Sequence, residues 1–320
     1  MNLFITVLGE LMINPMILNT LRSNYALEIE SIEFLRDGGG TTYIVFCKNK
    51  KYLLKITNKT FMDTIKQSVD IIQYLETNDF PVPKIINTTD EQPFLTINDG
   101  DTQSMFILYE YINGEEPDID EKAEDIGDLI GRFHLIMQGY TGEKIVRDKT
   151  YFIDRYISFI KAKGYSESKT AKYVELGNHL WECVMDLPYG YCHGDLHRGN
   201  LLITPDNIIY ILDFDTSCYA PRMFDIMVMC DTTNYFEFSP KDFDYSTSIF
   251  YRFLKGYSKC ISLSDAELKS FYNFIAIRHY QLQATILEIY GMDCIDELFI
   301  DKQFNWLMNW RKRCDKEGVK

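Results

Sequence analysis

The sequence predicts an α+β fold in two lobes, a small antiparallel β lobe followed by a larger helical one. Three observations carry that prediction. Between Glu28 and Ile56, short apolar alternations are separated by turn residues, the pattern of a strand meander. After Gly114 the apolar residues recur at helical spacing, with Ile119, Ala123, Ile126, Ile130, Phe133 and Met137 along one face. No internal repeat, low-complexity tract or long linker interrupts the chain.

Taken in order, Asn14-Pro15 predicts a helix start, with Asn as N-cap and Pro at the first helical position, leading into Met16–Leu21. Ile29, Ile32 and Phe34 then mark a strand, and Gly38-Gly39-Gly40 a turn. Tyr43–Phe46 is a second strand, Asn49-Lys50 a turn, and Lys51–Ile56 a third strand. Phe61–Thr77 reads as a helix through Ile65, Val69, Ile72 and Leu75, and Phe80-Pro81-Val82-Pro83 stops it. Phe94–Ile97 and Met105–Tyr111 are further strands, the second leaving through Asn113-Gly114. Beyond the first long helix, Tyr151–Ala162, Ala171–Met185, Ser264–Tyr290 and Asp301–Arg313 read as helices, and Gly190–Thr216 as short β segments. Ser264 with Glu267 fits a capping box. The expected division is an N-terminal extension packed on the body (1–27), a β lobe (28–112) and a helical lobe (113–320).

The chain is 320 residues long with a net charge of −14, which argues against nucleic acid as a main partner, because phosphate contacts need a basic surface. An acidic balance suits a cationic ligand or a solvated surface. The eight cysteines stand singly, without metal-site spacing, as expected of free thiols in a reducing cytoplasm. The apolar segment Met1–Met16 carries Glu10 and is too short to span a membrane, and no other stretch approaches a span. The expectation is a cytoplasmic protein without a membrane partner.

The most informative stretch is His193-Gly194-Asp195-Leu196-His197-Arg198-Gly199-Asn200, followed by Asp213-Phe214-Asp215. A general base must touch the hydroxyl that it deprotonates, so its loop needs the tight turns that Gly194 and Gly199 allow. Asn200 offers a hard side-chain oxygen suited to magnesium. Leu201-Leu202-Ile203, the Pro205-Asp206-Asn207 turn and Ile208–Leu212 read as a hairpin returning Asp213 toward Asn200. An Asp, an Asn five residues on, and a second Asp beyond a β segment form the layout of kinase phosphoryl transfer. Relative to the protein-kinase pattern, Gly194 replaces an Arg and Asp215 replaces a Gly.

With those two departures, His193–Asn200 and Ile211-Leu212-Asp213-Phe214-Asp215 resemble the aminoglycoside phosphotransferase and choline kinase-like family, which uses a protein-kinase-like fold on small molecules. Ala220-Pro221-Arg222-Met223-Phe224-Asp225-Ile226 is similar to a further family segment, with Ala220 in place of its Gly. The resemblance implies that Asp195 is the base and that Asn200 and Asp213 hold Mg2+. Lys55 binds ATP phosphates, and the turn residues Gly39, Gly40, Thr41 and Thr42 cover them. Backbone at Glu110, Tyr111 and Ile112 reads adenine. Asp225 bonds loop backbone, and His197, Asp215 and Asp231 support the loop or the acceptor. The resemblance further implies that the nucleotide is ATP or GTP, bound by the β lobe, and that the helical lobe takes a small-molecule alcohol of aminoglycoside, choline or ethanolamine, homoserine or sugar type. An amine-bearing one would suit Asp231, Tyr235, Glu288, Asp293, Asp296 and Glu297. The alternatives are a non-catalytic nucleotide-binding or scaffold member, or a bacterial protein Ser/Thr kinase. The family also places a Glu in the Phe61–Thr77 helix to pair with the lysine, where Ser68 stands here. Either Asp63, Asp70 or Glu76 fills in, or Lys55 is oriented by other means. Cys192 beside His193 has no oriented partner arrangement of a nucleophile.

Overall fold

A computed structural model describes residues 15–37, 40–57, 62–99 and 102–319. Asn14 and the apolar N-terminal segment before it lie outside the described residues, as do Gly38 and Gly39. The chain divides into two compact units, one of Met1–Gly114 and Thr204–Asp215, the other of Glu115–Ile203 and Thr216–Lys320.

In the first unit a helix over 15–24 (α1) precedes β1 (Ile29–Asp37), β2 (Gly40–Cys47) and β3 (Lys50–Thr57). Helix α2 (Met62–Thr77), β4 (Leu95–Asp99) and β5 (Thr102–Glu110) follow. The strands form an antiparallel sheet in the order β1-β2-β3-β5-β4. Alternation decides which side chains face inward. Tyr43 and Val45 of β2, Tyr52 and Leu54 of β3, and Phe106 and Leu108 of β5 pack with Ile17, Leu21 and Tyr25. Phe34, an apolar position of the edge strand β1, stays 42% exposed. Helix α2 buries the predicted stripe of Ile65, Val69, Ile72 and Leu75. Gly40 sits where a Cβ would lie 2.8 Å from the Ile56 carbonyl oxygen, so the β2–β3 start requires its missing side chain. The segment 204–215 turns at Thr204–Ile208, and its strand Ile209–Ile211 donates the Ile211 N–H to Pro81 O at 3.1 Å.

The second unit holds α3 (Ile119–Met137), a π turn (Thr150–Asp154) running into α4 (Arg155–Ala162), and α5 (Glu167–Glu182). After strand β6 (Tyr189–Cys192) come α6 (Met223–Cys230), α7 (Pro240–Tyr257), α8 (Asp265–Tyr290) and α9 (Glu297–Lys316). Ser264 and Glu267 form the expected capping box at the start of α8. Strand β6 pairs antiparallel with Cys218–Pro221. Helix α7 is absent from the sequence reading, although Ser239 caps it and Pro240 opens it. It crosses α3 at glycines. A Cβ at Gly127 would stand 2.0 Å from the Phe253 carbonyl oxygen, and one at Gly256 1.9 Å from that of Glu124. The two backbones touch where side chains would otherwise hold them apart, and Phe253, Tyr257, Ile126 and Ile130 are buried around the crossing.

Among the described residues no helix is long and apolar enough to cross a membrane. The eight cysteines are free thiols.

Candidate active site

In the first unit, Lys55 lies on β3 between Thr42 of β2 and Ile107 of β5. Its ammonium donates to Asp213 Oδ1 at 2.5 Å and lies 2.7 Å from Asp215 Oδ2. Burial opposes its charge, but Asp215 and Asp213 outweigh that and raise its pKa. Burial raises the pKa of Asp215 against the pull of Lys55. The lysine is therefore oriented by two carboxylates 158 and 160 residues away in sequence. Ser68 is buried on α2 with its Oγ 3.5 Å from Asp215 Oδ1, Glu76 pairs with Lys84 at 3.6 Å, and Asp70 is exposed. The side chain of Asp63 lies outside the described residues.

Asp213 has φ +61°, a left-handed backbone that asparagine and aspartate tolerate better than most residues. Thr42 is buried on β2, and Thr41 Oγ1 donates to Asp37 Oδ1 at 3.2 Å. At the end of β5 the Glu110 N–H is spent on Lys84 O at 2.8 Å. That commits one donor of the Glu110–Ile112 backbone, the stretch expected from the sequence to meet adenine.

In the second unit, β6 ends at Cys192 and the chain turns sharply through Gly194, whose φ is +85°. A Cβ there would lie 2.1 Å from Thr216 O, which gives a local reason why this loop has glycine where protein kinases have arginine. Fully buried Asp225, from the start of α6, fixes the turn. Its Oδ2 accepts the His193 N–H at 2.6 Å, and its Oδ1 accepts the Gly194 N–H at 2.9 Å. Behind it, His134 Nε2 lies 3.3 Å from Asp225 Oδ2, and His134 Nδ1 2.8 Å from Tyr257 Oη.

Asp195 follows with its side chain 36% exposed. Arg278 of α8 donates from Nη2 to Asp195 Oδ1 at 2.5 Å, while Oδ2 lies 3.6 Å from His197 Nε2. His197 accepts the Gly199 N–H at Nδ1 and caps the short helical turn Arg198–Asn200. Desolvation holds its pKa below the usual imidazole value, with Asp195 opposing. Asn200 is buried and donates from Nδ2 to Asp195 O at 2.9 Å. That bond commits the amide nitrogen and leaves Oδ1, a hard oxygen donor, as the group available to a cation.

Three of the acids that the sequence offers to an amine-bearing acceptor are engaged within the protein. Asp231 is held by Tyr235 Oη at 2.5 Å and the Thr233 N–H at 2.9 Å, and burial raises its pKa. Glu288 pairs with Arg155 at 2.6 Å, and Asp296 caps α9. The groups on the Asp195 carboxylate are instead Arg278 and His197. His134, Cys192 and Asp225 bring three metal-type ligand atoms within 4.8 Å of one another. The Asp225 oxygens are already spent on loop amides, and burial with the Asp225 charge keeps the Cys192 thiol protonated. The same shift makes Cys192 a poor nucleophile.

A family profile described as the phosphotransferase enzyme family matches residues 31–253. The chain belongs to this family. An amicoumacin kinase of Bacillus subtilis (strain 168) is 22% identical over 287 residues, covering 86% of this chain and 85% of the relative. A solved amicoumacin kinase in complex with AMP-PNP, Ca2+ and Ami superposes with a TM-score of 0.76 at 19% identity, over 93% of each chain. A microcompartment-associated aminopropanol kinase gives 0.76 at 18% identity, over 96% of this chain and 99% of its own. The fold is the α+β protein-kinase-like fold, and the family to which the chain belongs is one of phosphotransferase enzymes.

Sequence reasoning does not single out Arg278. The available signal is a charged residue inside Phe271–Leu287, a helix segment buried nearly all round. A charge is seldom buried without a partner.

Proposed function

We propose that the protein transfers the γ-phosphate of ATP, with Mg2+, to a hydroxyl of a small molecule, with Asp195 as general base. The observation that carries this reading is the catalytic loop itself. Asp225 pins its backbone, and Asn200 turns its amide nitrogen inward to Asp195 O. In the reaction the acceptor hydroxyl gives its proton to an Asp195 carboxylate oxygen as its own oxygen bonds to the γ-phosphorus. The bond from that phosphorus to the β,γ-bridging oxygen breaks, and ADP leaves. Asn200 through Oδ1 and Asp213 through its carboxylate would hold the metal, both being hard oxygen donors. Bound magnesium neutralises charge on the β- and γ-phosphate oxygens. Lys55, already drawn to two carboxylates, would exchange part of that contact for phosphate oxygens. The turn from Gly39 to Thr42 would cover the phosphates, and the backbone of Tyr111 and Ile112 would meet adenine.

The relatives keep amine-bearing alcohols among the acceptors to be tried. Arg278 and His197 on the base disfavour a cationic group directly beside the reacting hydroxyl. The test is ADP formation from Mg–ATP without acceptor and with a panel of amino alcohols, aminoglycosides, hydroxy amino acids and sugars. A phosphorylated product from one class supports the reading. Tight nucleotide binding with no turnover on any of them would favour a non-catalytic nucleotide-binding role instead.

A further inference from the structure

We propose that Arg278 is a positioning residue for the base, acting on catalysis through Asp195. The proposal rests on the reading of Asp195 as base. Arg278 is 8% exposed in α8 and sits over the Phe224 ring at 5.7 Å. Its Nη2 donates to Asp195 Oδ1 at 2.5 Å, and its Nη1 donates to Gln281 Oε1 at 2.6 Å. Gln281 is braced in turn, donating from Nε2 to Thr285 Oγ1 at 3.3 Å and to Tyr151 Oη at 3.5 Å. The loop is thus held twice, by Asp225 at the backbone of His193 and Gly194 and by Arg278 at the side chain of Asp195.

This arrangement makes the two Asp195 oxygens inequivalent. Oδ1 is committed to a buried, charge-assisted bond, which is shorter and stronger than a neutral one. Oδ2, 3.6 Å from His197 Nε2, is beyond a good hydrogen bond and is the oxygen left for the acceptor hydroxyl. The relative exposures decide between positioning and ligand recognition. The Arg278 side chain is 10% exposed and that of Asp195 36%. A guanidinium meant to receive an acceptor anion would present itself to solvent. Here the carboxylate is the presented group and the guanidinium stands behind it.

The experiment is a double-mutant cycle on turnover, read as ADP formation from Mg–ATP with water as acceptor and with aminopropanol. Asp195→Asn keeps an oxygen on Arg278 while removing the base, and is expected to lower kcat by about 10²–10⁴-fold. Arg278→Ala is expected to lower kcat by roughly ten- to a hundredfold, through lost orientation, with the KM for ATP moving less than about twofold. Added to Asp195→Asn, it is expected to change kcat by less than about threefold, because residues acting through one group are non-additive. Arg278→Lys or added methylguanidinium should restore part of the loss. Gln281→Leu, which loosens the brace without removing the charge, should show the same pattern more weakly and serves if Arg278→Ala does not fold. Equal losses from Arg278→Ala or Gln281→Leu in both backgrounds, or an unchanged kcat in the wild-type background, would overturn the proposal. Near wild-type turnover by Asp195→Asn alone, or no ADP from the wild type with any acceptor of the panel, would instead remove the base reading on which it stands.

Discussion

Substituting Gly194 by Ala puts a number on how tightly the fold specifies the catalytic turn. Two costs add. The first is backbone: Gly194 has φ +85°, and an L-residue in left-handed conformation costs about 1–2 kcal/mol. The second is steric: the new Cβ would stand 2.1 Å from Thr216 O and 2.9 Å from Thr216 C. Removing that overlap takes a displacement of about 1.4 Å, since non-bonded heavy atoms settle near 3.5 Å. Thr216 cannot retreat freely, because its Oγ1 donates to His193 O at 3.1 Å and Ser217 after it is buried. The Gly194 N–H is itself tied to Asp225. Overpacking of this kind costs about 1–3 kcal/mol, so the variant should lose about 2–5 kcal/mol in all.

Part of the strain will be relieved by moving residues 193–195, and a shift of about 1 Å at a reacting group costs on the order of a hundredfold in rate. Urea melts followed by tryptophan fluorescence give the stability, and ADP formation from Mg–ATP gives the turnover. Gly164→Ala is the control: φ is +78° there, but nothing lies within 4 Å of its Cβ. It should lose about 1–2 kcal/mol from backbone strain alone and keep full turnover. Gly194→Ala matching the control in both stability and turnover would refute the steric argument and the role assigned to the turn.

Other outcomes follow from the same contacts. Asp225→Asn can accept only one of the two loop amides and leaves the other facing its NH2, so kcat should fall at least tenfold, by the loss of about 1.5–3 kcal/mol for a charged bond; unchanged kcat would exclude that role. Asp213→Ala should weaken Mg-dependent nucleotide binding more than Asn200→Ala, since a charged ligand is lost, and calorimetry showing equal or metal-independent effects would end the assignment. Asp231 has its pKa raised by burial, so its contribution to stability is full below its unfolded pKa and is lost as pH rises through the folded value. Asp231→Asn escapes that loss, so its stability relative to wild type should improve from pH 4 to pH 7 in urea melts; a difference constant with pH would contradict the burial argument.

What the sequence disclosed and what it withheld divide along physical lines. The strands β1–β5 and the α2 stripe are legible because each rests on a local period, and the turn residues between them act locally too. Helix α7 resists reading for a specific reason. Its buried residues Phe243, Ser246, Ile249, Phe250, Phe253, Gly256 and Tyr257 include a serine and a glycine, so the stripe looks interrupted. Gly256 reads as a breaker in one dimension and proves to be the contact with Glu124 in three. The partner of Lys55 is withheld on different grounds. A family pattern directs attention to α2, where Ser68 stands, while the carboxylates that hold the lysine come from Asp213 and Asp215. Ser68 leaves the α2 position without a charge, and Asp215, where protein kinases carry glycine, supplies a carboxylate 2.7 Å from the ammonium. Ser68→Glu would bring a third carboxylate toward Asp215, 3.5 Å from the present hydroxyl, and would compete for one ammonium in a buried site rather than restore an ordinary pair.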